Sequence, residues 1–409
     1  MTDLIQISPL SAKAVPGLTG RYRTERNFQR LGRLAIAMSL GFLMFLIVSI
    51  SYQGVGAFFK TEIRFDVEPA WHDEAAGDSY ALLRHIVREA EPEISGRKAR
   101  RDFFRLIGAD AEDVLRATIP DKKFIWLPAS DDMDMAVKAD FEEGASRLTE
   151  QQLDWVRMLA EEDRTRTRFN MGFLTNGDSR DAERAGVGGA LIGSLLTLVI
   201  CFLLSFFVGV MTAVYLEEFA AKNNWTAFLE VNINNLASVP SIIFGLLGLA
   251  LFLNIFGLPR SSSLVGGMVL ALMTLPTIII ASRVSLQAIP PSIREAALAL
   301  GATQIQMVFH HVVPLALPGM LTGAILGMAR ALGETAPLMM IGMVAFIADP
   351  PGSFTDPATA MPVQIFLWSD SPERAFAEKT AGAIIVLILF LILMNLGAVL
   401  LRRKFEKKW

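Results

Sequence analysis

The stretch VGGALIGSLLTLVICFLLSFFVGVMTAVYL, residues 187–216, holds thirty residues in a row without a charge. A bilayer core about 30 Å thick needs roughly 20 apolar residues of helix, so this run is long enough to cross it. Uncharged windows of similar length occur at 34–59, 231–259, 261–282 and 380–401. A further apolar stretch at about 319–348 is interrupted by Arg330 and Glu334. Six spans are therefore expected, with both termini on one side. The first follows a basic segment, as a signal peptide would. Its uncharged run exceeds an h-region of about 7 to 15 residues, and the reading is a retained signal-anchor helix.

The whole composition agrees with a membrane protein. Of 409 residues, 52% are hydrophobic and 19% charged, and the net charge is -3. Residues 53–186 carry 20 Lys/Arg and 28 Asp/Glu, so most of the chain's charge lies between the first two spans. The chain thus reads as a water-compatible insert within an apolar frame. A near-neutral total without a basic stripe speaks against a nucleic-acid partner. The single cysteine, Cys201, excludes a disulfide framework.

Lys and Arg in short flanks set membrane orientation. Six precede the first span, five follow the last, and Lys222, Arg283 and Arg294 lie in short loops of the same side. Only Arg260, Arg374 and Lys379 lie opposite. The termini are expected in the cytoplasm and the insert outside it. Residues 217–230 dissent, with Glu217, Glu218 and Glu230 against Lys222 alone. The organisation expected is a cytoplasmic segment 1–33, a span 34–59, an extracytoplasmic insert 60–186, a core 187–401 and a basic tail 402–409.

Within the insert, Thr149 caps an amphipathic helix carrying Leu153, Val156 and Leu159, and residues 124–127 read as a short strand between Pro120 and Pro128. A small α/β or mostly α domain is expected. His72 and His85 lack metal-ligand spacing, and no catalytic set is present.

Residues 285–318 carry the most information. Ser292-Ile293-Arg294-Glu295 has the form of a capping box, its helix running to a stop at Gly301. Thr303-Gln304-Ile305-Gln306 is a second box, with Ile305, Val308, Phe309 and Val312 on one helical face and Pro314 as terminator. Two short helices with an apolar stripe make a docking element, and an interfacial hairpin with Glu295 as a mere cap fits the residues equally.

A second unusual feature is Arg330-Ala331-Leu332-Gly333-Glu334-Thr335-Ala336-Pro337. An arginine at mid-bilayer costs roughly 2.5 to 3.5 kcal/mol even on the lenient insertion scale, so it needs a partner or a wet path. Arg330 and Glu334, four apart, are placed to pair, and Pro337 removes a backbone donor in the same turn. The pair either glues helices together or binds a passing oxyanion, for which a guanidinium is well suited.

Glu295-Ala296-Ala297 with Gly301, then Ile305 and Leu317-Pro318, resembles the EAA loop of type I ABC transporter permeases. The resemblance covers about residues 187–401 and implies an all-α polytopic membrane domain of six helices. It also implies that Arg294, Glu295, Ala296, Ala297 and Gly301 form a coupling loop seated on a cytoplasmic ATPase. Arg-Ala-Leu-Gly-Glu-Thr-Ala-Pro-Leu is similar to the fifth-span signature of phosphate permeases of the Pst system. With residues 215–218 and 235–241 it looks like the PstA type. A permease for another oxyanion such as sulfate or molybdate is the alternative within the family; those permeases usually continue their related stretch with Phe-Gly, where this chain has Thr335-Ala336-Pro337.

The resemblance implies a bacterial inner-membrane permease for inorganic phosphate, with Arg330, Glu334 and Thr335 on the translocation path. It further implies a PstC-like permease, a PstB-like ATPase dimer and a PstS-like periplasmic binding protein as partners. The chain has no Gly-x-x-x-x-Gly-Lys-Ser/Thr loop, so ATP and Mg are expected on the ATPase, and the chain itself is expected to be non-catalytic. A sensor with an extracytoplasmic ligand domain is the alternative from another class. It would leave four further spans and the docking hairpin without a role.

Overall fold

The computed structural model describes residues 18–67, 78–90, 94, 96–117, 123–141, 146–344 and 346–405. His72, Pro120, the first 17 residues and the last four lie outside them. Two compact units are present, Met1–Tyr52 and Gln53–Trp409. Among its described residues the first is helix alone, the main part of α1 (Leu18–Gly54). Mean hydropathy and length qualify this helix as a membrane span.

The insert is built on a three-stranded antiparallel sheet in the order β2, β1, β3, formed by β1 (Phe59–Asp66), β2 (Phe124–Pro128) and β3 (Thr165–Phe169). The register places Ile63 opposite Leu127 and Phe65 opposite Ile125. Alternation of side chains along a strand puts Ile63 and Phe65 on one face, and both are fully buried. Helices α2 (Ser79–Ala90), α3 (Arg97–Phe104), α4 (Ala111–Ala117), α5 (Asp131–Lys138) and α6 (Glu150–Glu161) accompany the sheet. Their apolar residues, Phe103 and Leu159 among them, complete one core with it. Thr149 caps α6 as expected, in a box whose return partner is Gln152. The mixed α/β character anticipated for this segment is present.

After α7 (Met171–Thr175) the apolar helices begin. They are α8 (Gly188–Val214), α9 (Asn224–Ala237), α10 (Ser241–Gly248), α11 (Ser263–Gln287), α12 (Pro291–Ala299), α13 (Gln304–Met307), α14 (Val313–Leu332), α15 (Ala336–Met340), α16 (Met361–Ser369) and α17 (Arg374–Phe405). Helices α8 and α11 pack closely because Gly267 of α11 faces Ile200 of α8. A Cβ at Gly267 would lie 2.5 Å from that of Ile200. Five helices are long and apolar enough to cross a membrane, six if one bent pair counts as a single span.

That bent pair corrects the third expected span. Residues 231–259 do not form one helix; α9 and α10 meet at 102° across Ser238-Val239-Pro240. Pro240 has no N–H to continue the ladder and becomes the N-cap of α10 in extended conformation. A π-helical segment, Leu249–Ile255, then prolongs α10.

The fifth span is also shifted. Instead of occupying about 319–348, the helix runs continuously over Gln304–Leu332. Pro314 does not terminate it. A π turn, Val308–Val312, widens the ladder just ahead of Pro314, which removes the clash of the proline ring with the preceding turn. Pro318 sits inside the same helix.

The insert is joined to the start of α17 by half-buried and buried charges. Lys138 of α5 donates to Glu378 at 2.9 Å and to the Gly56 carbonyl at 2.8 Å. Glu183 accepts from the backbone N–H groups of Ala109 and Asp131, while Lys379 donates to the Ala185 carbonyl. Lys60 and Asp110 pair at 2.7 Å nearby.

Candidate functional site

Two groups of residues named from the sequence occupy opposite ends of one helix. At the first end is the loop that precedes it. Helix α12 starts two residues earlier than expected, with Pro291 at its first turn and Pro290 as N-cap. Ser292 therefore lies inside the helix, and the expected Ser292–Glu295 capping box is absent. A proline with fixed φ is well suited to the first helical position, whose N–H has no partner anyway. Gly301 does close α12: its φ is +86°, and Ala302 donates back to the Ala297 carbonyl. The second box is present, Thr303 with Gln306.

Exposure divides the loop. Ala297 is buried against Val214, Leu286, Met307 and Val308, whereas Glu295, Ala296 and Gly301 are exposed. The expected stripe is divided between buried and exposed positions. Val308 and Val312 are fully buried, and Ile305 and Phe309 are exposed together with Leu298 and Leu300, the last at 90%. Four exposed apolar side chains on a short two-helix element are the kind of surface that marks an interaction site.

Arg294 is half-buried and turned toward the helices before the loop. Its guanidinium pairs with Glu218 at 2.7 Å and donates to the Leu286 and Ile289 carbonyls at 2.9 and 2.8 Å. The Glu218 side chain is only 6% exposed, and Gln304 donates to the Glu218 carbonyl. Arg283 similarly pairs with Glu217 at 3.4 Å and Glu230 at 2.8 Å. The three glutamates that contradicted the charge rule are thus the counterions of Arg283 and Arg294. Glu217 and Glu218 sit on a π turn, Tyr215–Phe219, that ends α8, so this network ties the loop to the helices before it. Sequence reading singled out those glutamates only as an anomaly; an acidic trio opposite two isolated arginines was the available signal.

At the other end, α14 stops at Leu332, and the turn is closed by Gly333 donating to Arg330 and Glu334 to Ala331. Arg330 and Glu334 do pair, at 3.6 Å between Nε and Oε1. They do not share a helix, however, because Glu334 lies beyond the last turn. The pair ends the span instead of interrupting its middle, which lowers the desolvation that mid-bilayer burial would impose. The Arg330 side chain is 53% exposed, and its guanidinium makes no hydrogen bond among the described residues. Pro337 opens α15, where its missing donor costs nothing, and does not loosen a passing helix. Thr335 is the N-cap residue of α15 and its hydroxyl does not cap.

Close packing positions this turn. Gly245 of α10 lies so near Pro337 that a Cβ there would be 2.7 Å from the Pro337 Cα. The broken third span therefore abuts the arginine-bearing turn. Thr274 donates to the Leu270 and Ala271 carbonyls and Ser238 to that of Asn235, so both hydroxyls are engaged with their own helices.

Similarity to known proteins agrees with this arrangement. Residues 205–409 match the family of binding-protein-dependent transport system inner membrane components. Residues 16–146 match a domain of unknown function (DUF3333). A probable ABC transporter permease protein, YqgI of Bacillus subtilis, is 29% identical over 245 residues, covering 57% of this chain and 83% of its own. The phosphate transport system permease protein PstA 1 of Mycobacterium tuberculosis is 32% identical over 218 residues, covering 53% and 70%. PstA of Yersinia pestis is 31% identical over 224 residues, covering 54% and 73%. With a multi-pass apolar fold and a loop of two short helices at one end of a continuous helix, the chain belongs to the binding-protein-dependent transport system inner membrane components, as a permease subunit of an ABC importer.

Proposed function

We propose that the cargo is inorganic phosphate and that the complex is of the Pst type, the chain standing in the place of PstA. The observation that carries this reading is the half-exposed Arg330 guanidinium, held by Glu334 yet without hydrogen bonds among the described residues. Planar donors left open in this way suit bidentate binding of an oxyanion. Relatives named as phosphate permeases support the same reading. In this scheme Arg330, Glu334 and Thr335 border the path, and Glu334 keeps phosphate from binding Arg330 too tightly.

The helix Gln304–Leu332 supplies the mechanical link. At 1.5 Å per residue, Gln304 and Arg330 are about 40 Å apart on one element. An ATPase dimer closing on Ala296, Leu298, Leu300 and their neighbours would move the arginine turn with the loop. ATP and Mg would be held by that PstB-like partner, and a PstC-like permease would supply the other half of the path. A PstS-like binding protein would deliver phosphate on the side of the insert. Both termini would face the cytoplasm of a bacterium whose inner membrane holds the complex.

Reconstitution of the importer with Arg330→Gln tests the assignment. Phosphate uptake is expected to fall at least tenfold while ATPase association is retained. Uptake at the wild-type rate, or sulfate uptake that outcompetes phosphate in the parent complex, refutes it.

A further inference from the structure

The insert contains a cavity of about 640 Å³ between α2 and α3. Five arginines line it: Arg84 and Arg88 from α2, and Arg97, Arg100 and Arg101 from α3. Spacing accounts for the convergence, since Arg84 and Arg88 are one turn apart, as are Arg97 and Arg100 or Arg101. No carboxylate is among the described residues of its wall. Ion pairing outside the wall is weak. Arg88 lies 3.8 Å from Glu89 and Arg101 lies 4.0 Å from Asp102, both at the limit of contact. Arg97 has no ion pair or hydrogen bond among the described residues.

Some of these side chains are positioned. Arg100 is half-buried and donates to the Ile94 carbonyl at 3.1 Å. Arg84 lies 5.8 Å above the ring of Tyr80, and Tyr80 meets Phe104 edge to face at 5.9 Å. The cavity thus has a cationic lining beside an aromatic wall. Like charges brought together with only distant counterions among the described residues repel, and an anion placed among them relieves that repulsion while accepting several charge-assisted hydrogen bonds. The volume is that of a small-molecule site and corresponds to roughly twenty waters, far more than a bare oxyanion fills.

We propose that this cavity binds a phosphorylated organic molecule. Its phosphoryl group sits among the arginines and its apolar body lies against Tyr80 and Phe104. The site is separate from Arg330 and does not depend on which ion is transported.

Calorimetry on the full-length protein in an uncharged detergent, with naphthyl phosphate as probe, tests this. Saturable binding is expected, at least tenfold tighter than that of inorganic phosphate and weakened by added salt. Arg97→Gln/Arg101→Gln should weaken it tenfold or more, and Phe104→Ala should bring it toward the level of inorganic phosphate. Arg330→Gln should leave it unchanged. If the double variant loses its thermal transition, Arg97→Gln alone carries the test, because that side chain is exposed and supports no packing. Absence of saturable binding, or equal binding by the arginine variants, overturns the proposal. So does arginine-dependent association with vesicles rich in anionic lipid when no soluble ester binds, which would make the surface a lipid contact.

Discussion

Glu218 is a carboxylate almost out of solvent, and its stability there depends on one guanidinium. Removing Arg294 leaves that charge buried without a partner, which typically costs about 3–5 kcal/mol. Arg294→Ala is expected to lower the thermal unfolding midpoint in detergent and to weaken co-purification of the ATPase. Glu218→Ala/Arg294→Ala should recover part of the loss, giving a coupling energy of about 1 kcal/mol or more in a double-mutant cycle. Additive losses would refute the pairing.

Asp131 poses the opposite problem. Burial pushes its carboxyl up to about 7, assisted by Glu183 and Asp134 and opposed by Lys379 and Lys60. Because the folded state holds its proton to higher pH than the unfolded chain does, this group's contribution is complete below about pH 4. It is lost as pH rises through about 7. The wild-type midpoint should therefore fall across that window relative to Asp131→Asn, and the variant should be the more stable at pH 8. Parallel profiles would exclude Asp131 as the source. Neither effect was legible in the chain, since a lone aspartate or glutamate carries no mark of what will surround it.

Helices and turns show where periodicity succeeds and where it misleads. Gly301 and the Thr303–Gln306 box were legible because caps are local, set by residues within one turn. Pro290 overruled Ser292 by starting α12 earlier. Pro314 reads as a terminator, yet the π turn over Val308–Val312 carries the helix through it, with Ile305 and Phe309 left exposed. No residue in that turn announces a wider ladder. The contact between α10 and α15 is equally invisible in one dimension, because Gly245 and Pro337 are 92 positions apart. Gly245→Ala would place its Cβ 2.7 Å from backbone that cannot yield. Overpacking of this kind costs about 1–3 kcal/mol. The variant should still insert and bind ATPase while losing most transport, measured by uptake in vesicles. Unimpaired uptake would show that the turn does not depend on this packing.

For the whole molecule, thirty uncharged residues at 187–216 and their counterparts were sufficient to establish a polytopic membrane protein. The energetic demand of a bilayer is written in composition and length. The split between a charged insert and an apolar frame follows from the same arithmetic. The loop and the arginine motif were likewise visible as local strings. Only the tertiary structure showed that the loop leads straight into one continuous helix, with the arginine at its far end. It also decided that the third span is broken, that Glu217, Glu218 and Glu230 serve as counterions, and that five insert arginines line one open cavity. The reason is common to all of these. They depend on which distant residues come into contact and on how much water remains between them, and long-range contact of that kind leaves no period in the sequence.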